Sequence, residues 1–155
     1  RQFQFFSEKG GPSMSEELMA YFNKQPRLGT LSSANKEGQV DVAYFGSAQM
    51  VDEKTVIVGM GNNRTLSNLK ENPNAVFMIM EPGETPAQWM GVRVYLKMTD
   101  CQTSGRKLDE IRAQIAQKVG PEIANKMIHA YVAFGIEEIR PFADFGQSWM
   151  KSIGK

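Results

Sequence analysis

Histidine and cysteine are almost missing from this sequence, one of each in 155 residues: His129 and Cys101. A single cysteine cannot close a disulfide within the chain, so nothing asks for an oxidising compartment, and a lone thiol reads as buried filler before it reads as a nucleophile. With one imidazole and one thiol there is no metal-ligand constellation. His129 falls at a helix-to-strand junction and is assigned a structural role. Charge of one sign is also lacking, since 18 Lys and Arg face 17 Asp and Glu. A net charge of +1 provides no long-range field for gathering nucleic acid or anionic lipid, so neither is an expected partner. No apolar run approaches the roughly 20 residues that span a bilayer, and the amino terminus lacks the basic-then-apolar layout of a secretion signal. The expectation is a soluble, cytoplasmic protein.

What the sequence does have is enough length for one real core. A chain of this size removes roughly two-thirds of its unfolded surface from water, so one domain is expected. Its boundaries are read as 14–141, with a tail over 142–155 that carries Phe142, Phe145 and Trp149. The chain starts at Arg1, and Gly10-Gly11-Pro12 separates a Phe-rich leader from Met14, a candidate natural start. Residues 1–13 are either an expression remnant or a native arm that packs Phe3, Phe5 and Phe6 on a partner subunit.

Ser13 stands three residues before Glu16, the spacing of a capping box, and Leu18, Met19 and Phe22 follow on one helical face until Pro26. A strand over 28–33, a turn at Asn35-Lys36-Glu37-Gly38 and a second strand from Val40 as far as Met50 come next. Thr55 to Val58 is a third strand. Thr65 to Asn72 reads as a two-turn helix with Thr65 as N-cap, stopped by Pro73. The unbroken apolar run Ala75 to Met80 predicts a fourth strand buried on both faces, by the barrel centre and by a helix or second subunit. Val92, Val94, Leu96 and Met98 alternate with polar neighbours in a fifth. Leu108, Ile111, Ile115 and Val119 mark an amphipathic helix, Pro121 opens another, and Ala130 to Ile139 is a sixth strand. Six strands in hairpin succession, without βαβ alternation, predict a mostly β fold: an antiparallel barrel with added helices.

The most informative segment runs from Val56 to Leu69: a strand, then Gly59-Met60-Gly61-Asn62-Asn63, then a helix opening with Arg64 and Thr65. Free N–H groups at a helix start, a hydroxyl and a planar guanidinium fork suit a phosphate. No Walker signature accompanies them, so a nucleoside triphosphate is not implied. On spacing alone, Arg64 solvated and Thr65 merely capping, as in most strand-loop-helix joints, remains the commoner reading.

Leu28-Gly29-Thr30-Leu31-Ser32-Ser33, the following Val-Asp-Val-Ala-Tyr-Phe and the run Asn63-Arg64-Thr65-Leu66-Ser67-Asn68-Leu69 through Asn72-Pro73 resemble the FMN-binding split barrels related to pyridoxamine 5'-phosphate oxidase. The likeness covers about 15–141. It implies a six-stranded split barrel that binds FMN as a homodimer, with sites between the subunits. Carried over residue by residue, it implies that Arg64 and Thr65, helped by Asn63, hold the FMN phosphate. Val58, Gly59, Met60 and Gly61 would lie along the ribityl chain and ring edge, Val42, Ala43 and Tyr44 would form the other side of the floor, and Trp89, Gly91 and Arg93 would face the partner's cofactor. The oxidase proper has two basic residues where this chain has Arg64 and Thr65, and an Arg-rich carboxy-terminal segment where this chain has Ile139-Arg140-Pro141-Phe142. Vitamin B6 oxidation is therefore not the expectation. The resemblance implies an FMN-dependent oxidoreductase acting on a small molecule or redox partner, with a non-catalytic FMN binder or flavin sensor as the alternative and a barrel without cofactor as the third reading. No catalytic side chain is named, because the cofactor carries the redox chemistry. Met78, Met80, Met90 and Met98 are read as core packing rather than flavin contacts. Phe145 and Trp149 either cover the partner's flavin or dock on their own barrel, and Glu137-Glu138 beside Arg140 is a solvated strand end.

Overall fold

Ser13 and Glu16 do what their spacing predicts. The Ser13 hydroxyl accepts from the Glu16 amide at 3.2 Å while the Glu16 carboxylate accepts from the Ser13 amide at 3.3 Å. That reciprocal pair starts α1 (Met14–Asn23), the first element of a computed structural model that describes residues 13–155. The leader's phenylalanines lie outside the described residues. After α1 come β1 (Gly29–Ala34), β2 (Val40–Tyr44), β3 (Gln49–Asp52), β4 (Thr55–Met60), α2 (Arg64–Glu71) and β5 (Asn74–Glu81). Then follow β6 (Met90–Gln102), α3 (Arg106–Val119), α4 (Pro121–Met127), β7 (Ala130–Pro141) and α5 (Trp149–Ser152).

The strands form one antiparallel sheet in the order β2-β1-β5-β6-β7-β4-β3, seven strands where the sequence predicts six. The difference lies between Val40 and Met50, which is not one strand but two on opposite edges of the sheet. Phe45 still donates to Gly29 O at 3.0 Å, as a β1 neighbour should, but two residues later the Ser47 hydroxyl donates to Gly59 O on β4 at 2.9 Å. Between them Gly46 leaves room for Tyr44 to fold back, since a Cβ there would lie 2.9 Å from the Tyr44 hydroxyl. This crossing dictates the shape of the sheet. Laid flat, seven strands would hold their edges roughly 29 Å apart, whereas the five steps from Tyr44 to Gln49 reach about 18 Å at most. The sheet must curl, and no ladder joins β2 to β3 among the described residues.

The free side of β3 is covered by an amide acting as a strand partner. Asn23 Nδ2 donates to Met50 O at 2.8 Å and Asn23 Oδ1 accepts from Met50 N at 2.9 Å, which blunts an exposed edge. Inside the curl, alternate residues such as Val56, Val58, Phe77, Val94, Val132 and Phe134 are fully buried, and α1 adds Leu18 and Phe22. β5 is buried on one face only: Ala75, Phe77 and Ile79 are enclosed, while Val76, Met78 and Met80 stay half-covered. On the outer side of β4 and β7, α3 and the chain after α4 make a second cluster in which Leu108, Ile111 and Ile128 pack with Ile57, Ile115 and Tyr131.

The segment after β7 belongs to the folded body. Ser152 is buried, its hydroxyl donates to Gly91 O at 2.5 Å, and Phe142 N donates to it at 3.1 Å. Trp149 is partly buried and packs against the main core. Phe145, by contrast, is 68% exposed.

Candidate functional site

The junction of β4 and α2 differs from its sequence reading in one atom-level detail. Asn63, not Thr65, is the N-cap: its Oδ1 accepts from Leu66 N at 2.8 Å, and α2 begins at Arg64. The shift frees Thr65. A residue at the second position of the helix need not cap it, and the Thr65 hydroxyl has no hydrogen-bond partner among the described residues although Thr65 is otherwise buried. Arg64 is exposed and has no acidic partner among the described residues. The amides of Arg64 and Thr65 precede the first intrahelical bonds, because Leu66 N is taken by the cap and Ser67 N by Asn63 O at 3.1 Å. A guanidinium, a hydroxyl and two amides thus meet at the positive end of an eight-residue helix.

The rest of the motif holds that end in place. Asn68 Nδ2 donates to the Ser33 hydroxyl at 3.1 Å in a buried contact that ties α2 to β1, and Leu69 enters the core. Asn72 Oδ1 accepts from Asn74 N at 3.1 Å, closing the turn around Pro73 into β5. Both asparagines orient the helix rather than the ligand.

These donors open onto a cavity of about 1050 Å³. Its walls bring together Ala43, Tyr44, Gly59, Gly61, Asn63, Arg64 and Thr65, all read from the sequence as cofactor contacts. The others fall elsewhere. Val58 and Met60 point into the core within the curled sheet and are fully buried, because alternation along β4 sends them inward and Gly59 outward. Val42 lies on the outer face of β2, 62% exposed. Trp89 just before β6 and Gly91 and Arg93 within it, expected to face the partner's cofactor, do not line this chain's own cavity. Gly91 has a local reason to be glycine: at φ +157° a Cβ would collide with Ile79 O. Arg93 is already engaged, its Nε donating to Pro141 O at 2.7 Å and its Nη2 to Asp144 Oδ1 at 2.6 Å. Of the four methionines flagged by composition, none lines the cavity and Met98 packs against the core.

Two walls escape a reading of local sequence. One is the turn 45–48, brought over by the crossing between sheet edges. The other is the aliphatic face of α3 and α4, where Ile111, Ile115, Val119, Ile123 and Met127 line the cavity along with Gln114 and Lys118. This wall explains the two glycines as much as a ligand would. A Cβ on Gly59 would lie 2.7 Å from Ile115 Cδ1, and one on Gly61 would lie 2.8 Å from Met127 O. Arg64 and Lys118 are the cations at the surface of the cavity and Asp41 is its carboxylate. One end of the space is polar and cationic, the other aliphatic. That division suits an amphipathic ligand with an anionic head, and the volume accommodates a cofactor of FMN's size.

Just behind the wall lies Arg27, only 7% exposed. Its Nη1 donates to Phe22 O at 2.7 Å and its Nη2 to Gly46 O at 3.1 Å, and Gly46 lines the cavity. Burial holds this guanidinium below its ordinary pKa, with a small opposing pull from Tyr44.

A second concavity of about 1050 Å³ runs over the outer face of the sheet past Ser32, Val76, Tyr95 and Glu138. The same face carries Val40, 84% exposed, and Val42 and Tyr44. Among the described residues no cluster of His, Cys, Asp and Glu can hold a metal ion, and no helix is long and apolar enough to cross a membrane.

Comparison with known proteins identifies the family and the fold. The family model described as pyridoxamine 5'-phosphate oxidase matches residues 14–140. Comparison by sequence with curated proteins finds no match. Among solved structures, an FMN-binding protein from Syntrophomonas wolfei subsp. wolfei superposes with a TM-score of 0.68 at 23% identity, covering 81% of this chain and 86% of that one. HupZ of Group A Streptococcus superposes at 0.64 with 17% identity, covering 80% and 90%. HutZ, a heme storage protein from Vibrio cholerae, superposes at 0.60 with 16% identity, covering 80% and 92%. At these identities the likeness is one of fold.

Proposed function

The chain belongs to the pyridoxamine 5'-phosphate oxidase family, and on that premise we propose that it is an FMN-binding flavoprotein of the split-barrel type, an oxidoreductase that works as a homodimer. The observation that carries the reading is the start of α2. There Arg64, the Thr65 hydroxyl and two amides face a cavity with none of their hydrogen-bonding capacity spent inside the described chain. A phosphate monoester supplies the charge and the acceptor oxygens that such a group lacks. Lys118, across the cavity, adds to the attraction, and Asp41 opposes it.

The residues present fit FMN in order. Arg64, Thr65 and their amides would hold the phosphate. The outward backbone of Gly59 and Gly61 and the wall of Tyr44, Gly46 and Ser47 would lie along the rest, with the aliphatic face of α3 and α4 excluding water. When bound, FMN supplies hydride and electron transfer, and the protein contributes access, orientation and electrostatics. None of the cavity's side chains has to act as acid or base.

The second copy belongs on the outer face of the sheet. Val40 and Val42 stand out on the edge strand, Val76 and Met78 are half-covered on the same face, and Val40 and Val76 line a groove there. A stable dimer of this kind buries on the order of 2,000 Å² or more. Light scattering at micromolar concentration is expected to return twice the 17.4 kDa of the chain, and a persistent monomer would refute the dimer.

Catalysis is tested by loading the protein with FMN and mixing it with NADH or NADPH in a stopped-flow instrument. Bleaching of the flavin band and its recovery with an added acceptor is the expected result. A loaded flavin inert to both donors and to redox partners would leave the chain a non-catalytic flavin binder. Haem uptake, the property of the Vibrio cholerae relative, would show instead as a Soret band; the chain's one histidine, His129, does not line the cavity.

A further inference from the structure

The least expected charge in the molecule is Arg27. A guanidinium taken out of water costs several kcal/mol unless a carboxylate meets it, and none does here. Its surroundings are two carbonyls, the face of Phe22 at 5.3 Å, the face of Phe77 at 5.1 Å and one nitrogen, Nε, that is buried without any partner. Nearby charges are accounted for elsewhere: Lys24, just after α1, pairs with Glu81 of β5 at 3.1 Å, and Asp41 of β2, Arg64 of α2 and Lys118 of α3 stand at the cavity surface. Arginine does not lose its proton in proteins, so a full positive charge persists inside the barrel.

The position of that charge gives it a use. Arg27 draws on Gly46 O, and the amides of Gly46 and Ser47, both at the cavity wall, have no acceptor among the described residues. A cation bound to the carbonyl side of a turn leaves that turn's N–H groups as the donors offered to a ligand. Such an arrangement favours a ligand that acquires negative charge in place, because fixed dipoles and charges in a dry site cost no reorganisation.

We propose that Arg27 is a positioning residue for the redox state of the cofactor: a fixed cation behind the wall which, through the turn 45–48, stabilises the anionic reduced flavin over the oxidised one. The inference rests on the FMN reading above. In the reaction concerned, the flavin ring accepts two electrons from a reductant and one proton from solvent. The second proton that would complete a neutral reduced ring would stay in water, and the turn that Arg27 backs would stabilise the remaining negative charge.

The test compares wild type, Arg27→Met and Arg27→Lys, with FMN as ligand and dithionite as reductant. Binding of oxidised FMN and the midpoint potential of the bound flavin are measured separately. Arg27→Met is expected to bind oxidised FMN within about threefold of wild type but to lose about tenfold in preference for the reduced form, a drop of about 30 mV for a two-electron couple. Arg27→Lys, which keeps the charge, is expected to recover most of that drop. A folded, loaded Arg27→Met at the wild-type potential would overturn the proposal. Should Arg27→Met not fold, the wild type alone decides: between pH 5.5 and 6.5 its potential is expected to move about 30 mV per pH unit, one proton per two electrons, and about 59 mV per unit would overturn the proposal. A wild type that takes up no FMN would remove the cofactor reading itself, and this inference with it.

Discussion

Arg64, the first residue of α2, and Arg93, inside β6, are both read from the sequence as cofactor contacts, yet the fold surrounds them differently. Arg64 opens α2 with no acid in reach and a cavity before it. Arg93 lies directly opposite Arg140 on the neighbouring strand, and both donate to one oxygen of Asp144, at 2.6 and 2.8 Å. Like charges facing each other across a ladder repel, and the shared carboxylate offsets that. A cation already neutralised fastens a chain segment; a cation without a partner waits for one. Residue type cannot tell these apart, because the deciding carboxylate arrives from another part of the chain.

The comparison breaks most readily on affinity. Arg64→Ala is expected to weaken FMN binding by about 1.5–3 kcal/mol, roughly ten- to 150-fold, as measured by calorimetric titration. Arg93→Ala is expected to stay within about threefold, and an equal loss there would mean that Arg93 serves a partner's cavity after all. Next in size is the wall opposite. Gly59→Ala places a methyl 2.7 Å from Ile115 Cδ1 and 3.2 Å from Ile128 Cγ2, so urea denaturation is expected to show a loss of about 1–3 kcal/mol. No loss would mean that α3 gives way freely. Thr65→Val removes one hydroxyl while keeping shape, and is expected to cost about 1 kcal/mol of FMN affinity without lowering the melting temperature.

The smallest effect belongs to the satisfied side of the comparison and depends on pH. Hydrogen bonds from Arg140 first and Arg93 second hold the Asp144 carboxyl below its ordinary pKa. Its contribution to stability is therefore complete above the unfolded carboxylate's value of about 3.9 and is lost as pH falls through the lower folded value. Thermal melts of wild type and Asp144→Asn are expected to differ at pH 7 and to converge in strong acid. A gap that widened on acidification would contradict the assignment.

The same contrast sorts what was legible in the sequence. Local chemistry read well: the Ser13–Glu16 box, the period-two run of β6, and the glycine-bearing loop into α2 depend on neighbours within a few residues. Even there the cap moved from Thr65 to Asn63, because Asn and Thr side chains can both cap a helix and only the geometry of Leu66 N selects one. Residues 40–50 read as one strand because Val40, Val42 and Tyr44 alternate cleanly, and nothing local reveals that Ser47 is pinned to the other edge by Gly59 O. The aliphatic wall of α3 and Arg27 were missed for the same reason. Periodicity shows that a helix has an apolar face without saying what it covers, and a single arginine before Leu28-Gly29 gives no sign that two phenylalanine rings will enclose it.

The most direct test is to titrate FMN into the purified wild-type protein and follow its visible absorbance and fluorescence. A saturable change at one FMN per chain, weakened at least tenfold by Arg64→Ala, is the predicted result. A protein that leaves the FMN spectrum unaltered, or binds it equally well without the guanidinium of Arg64, would contradict the account.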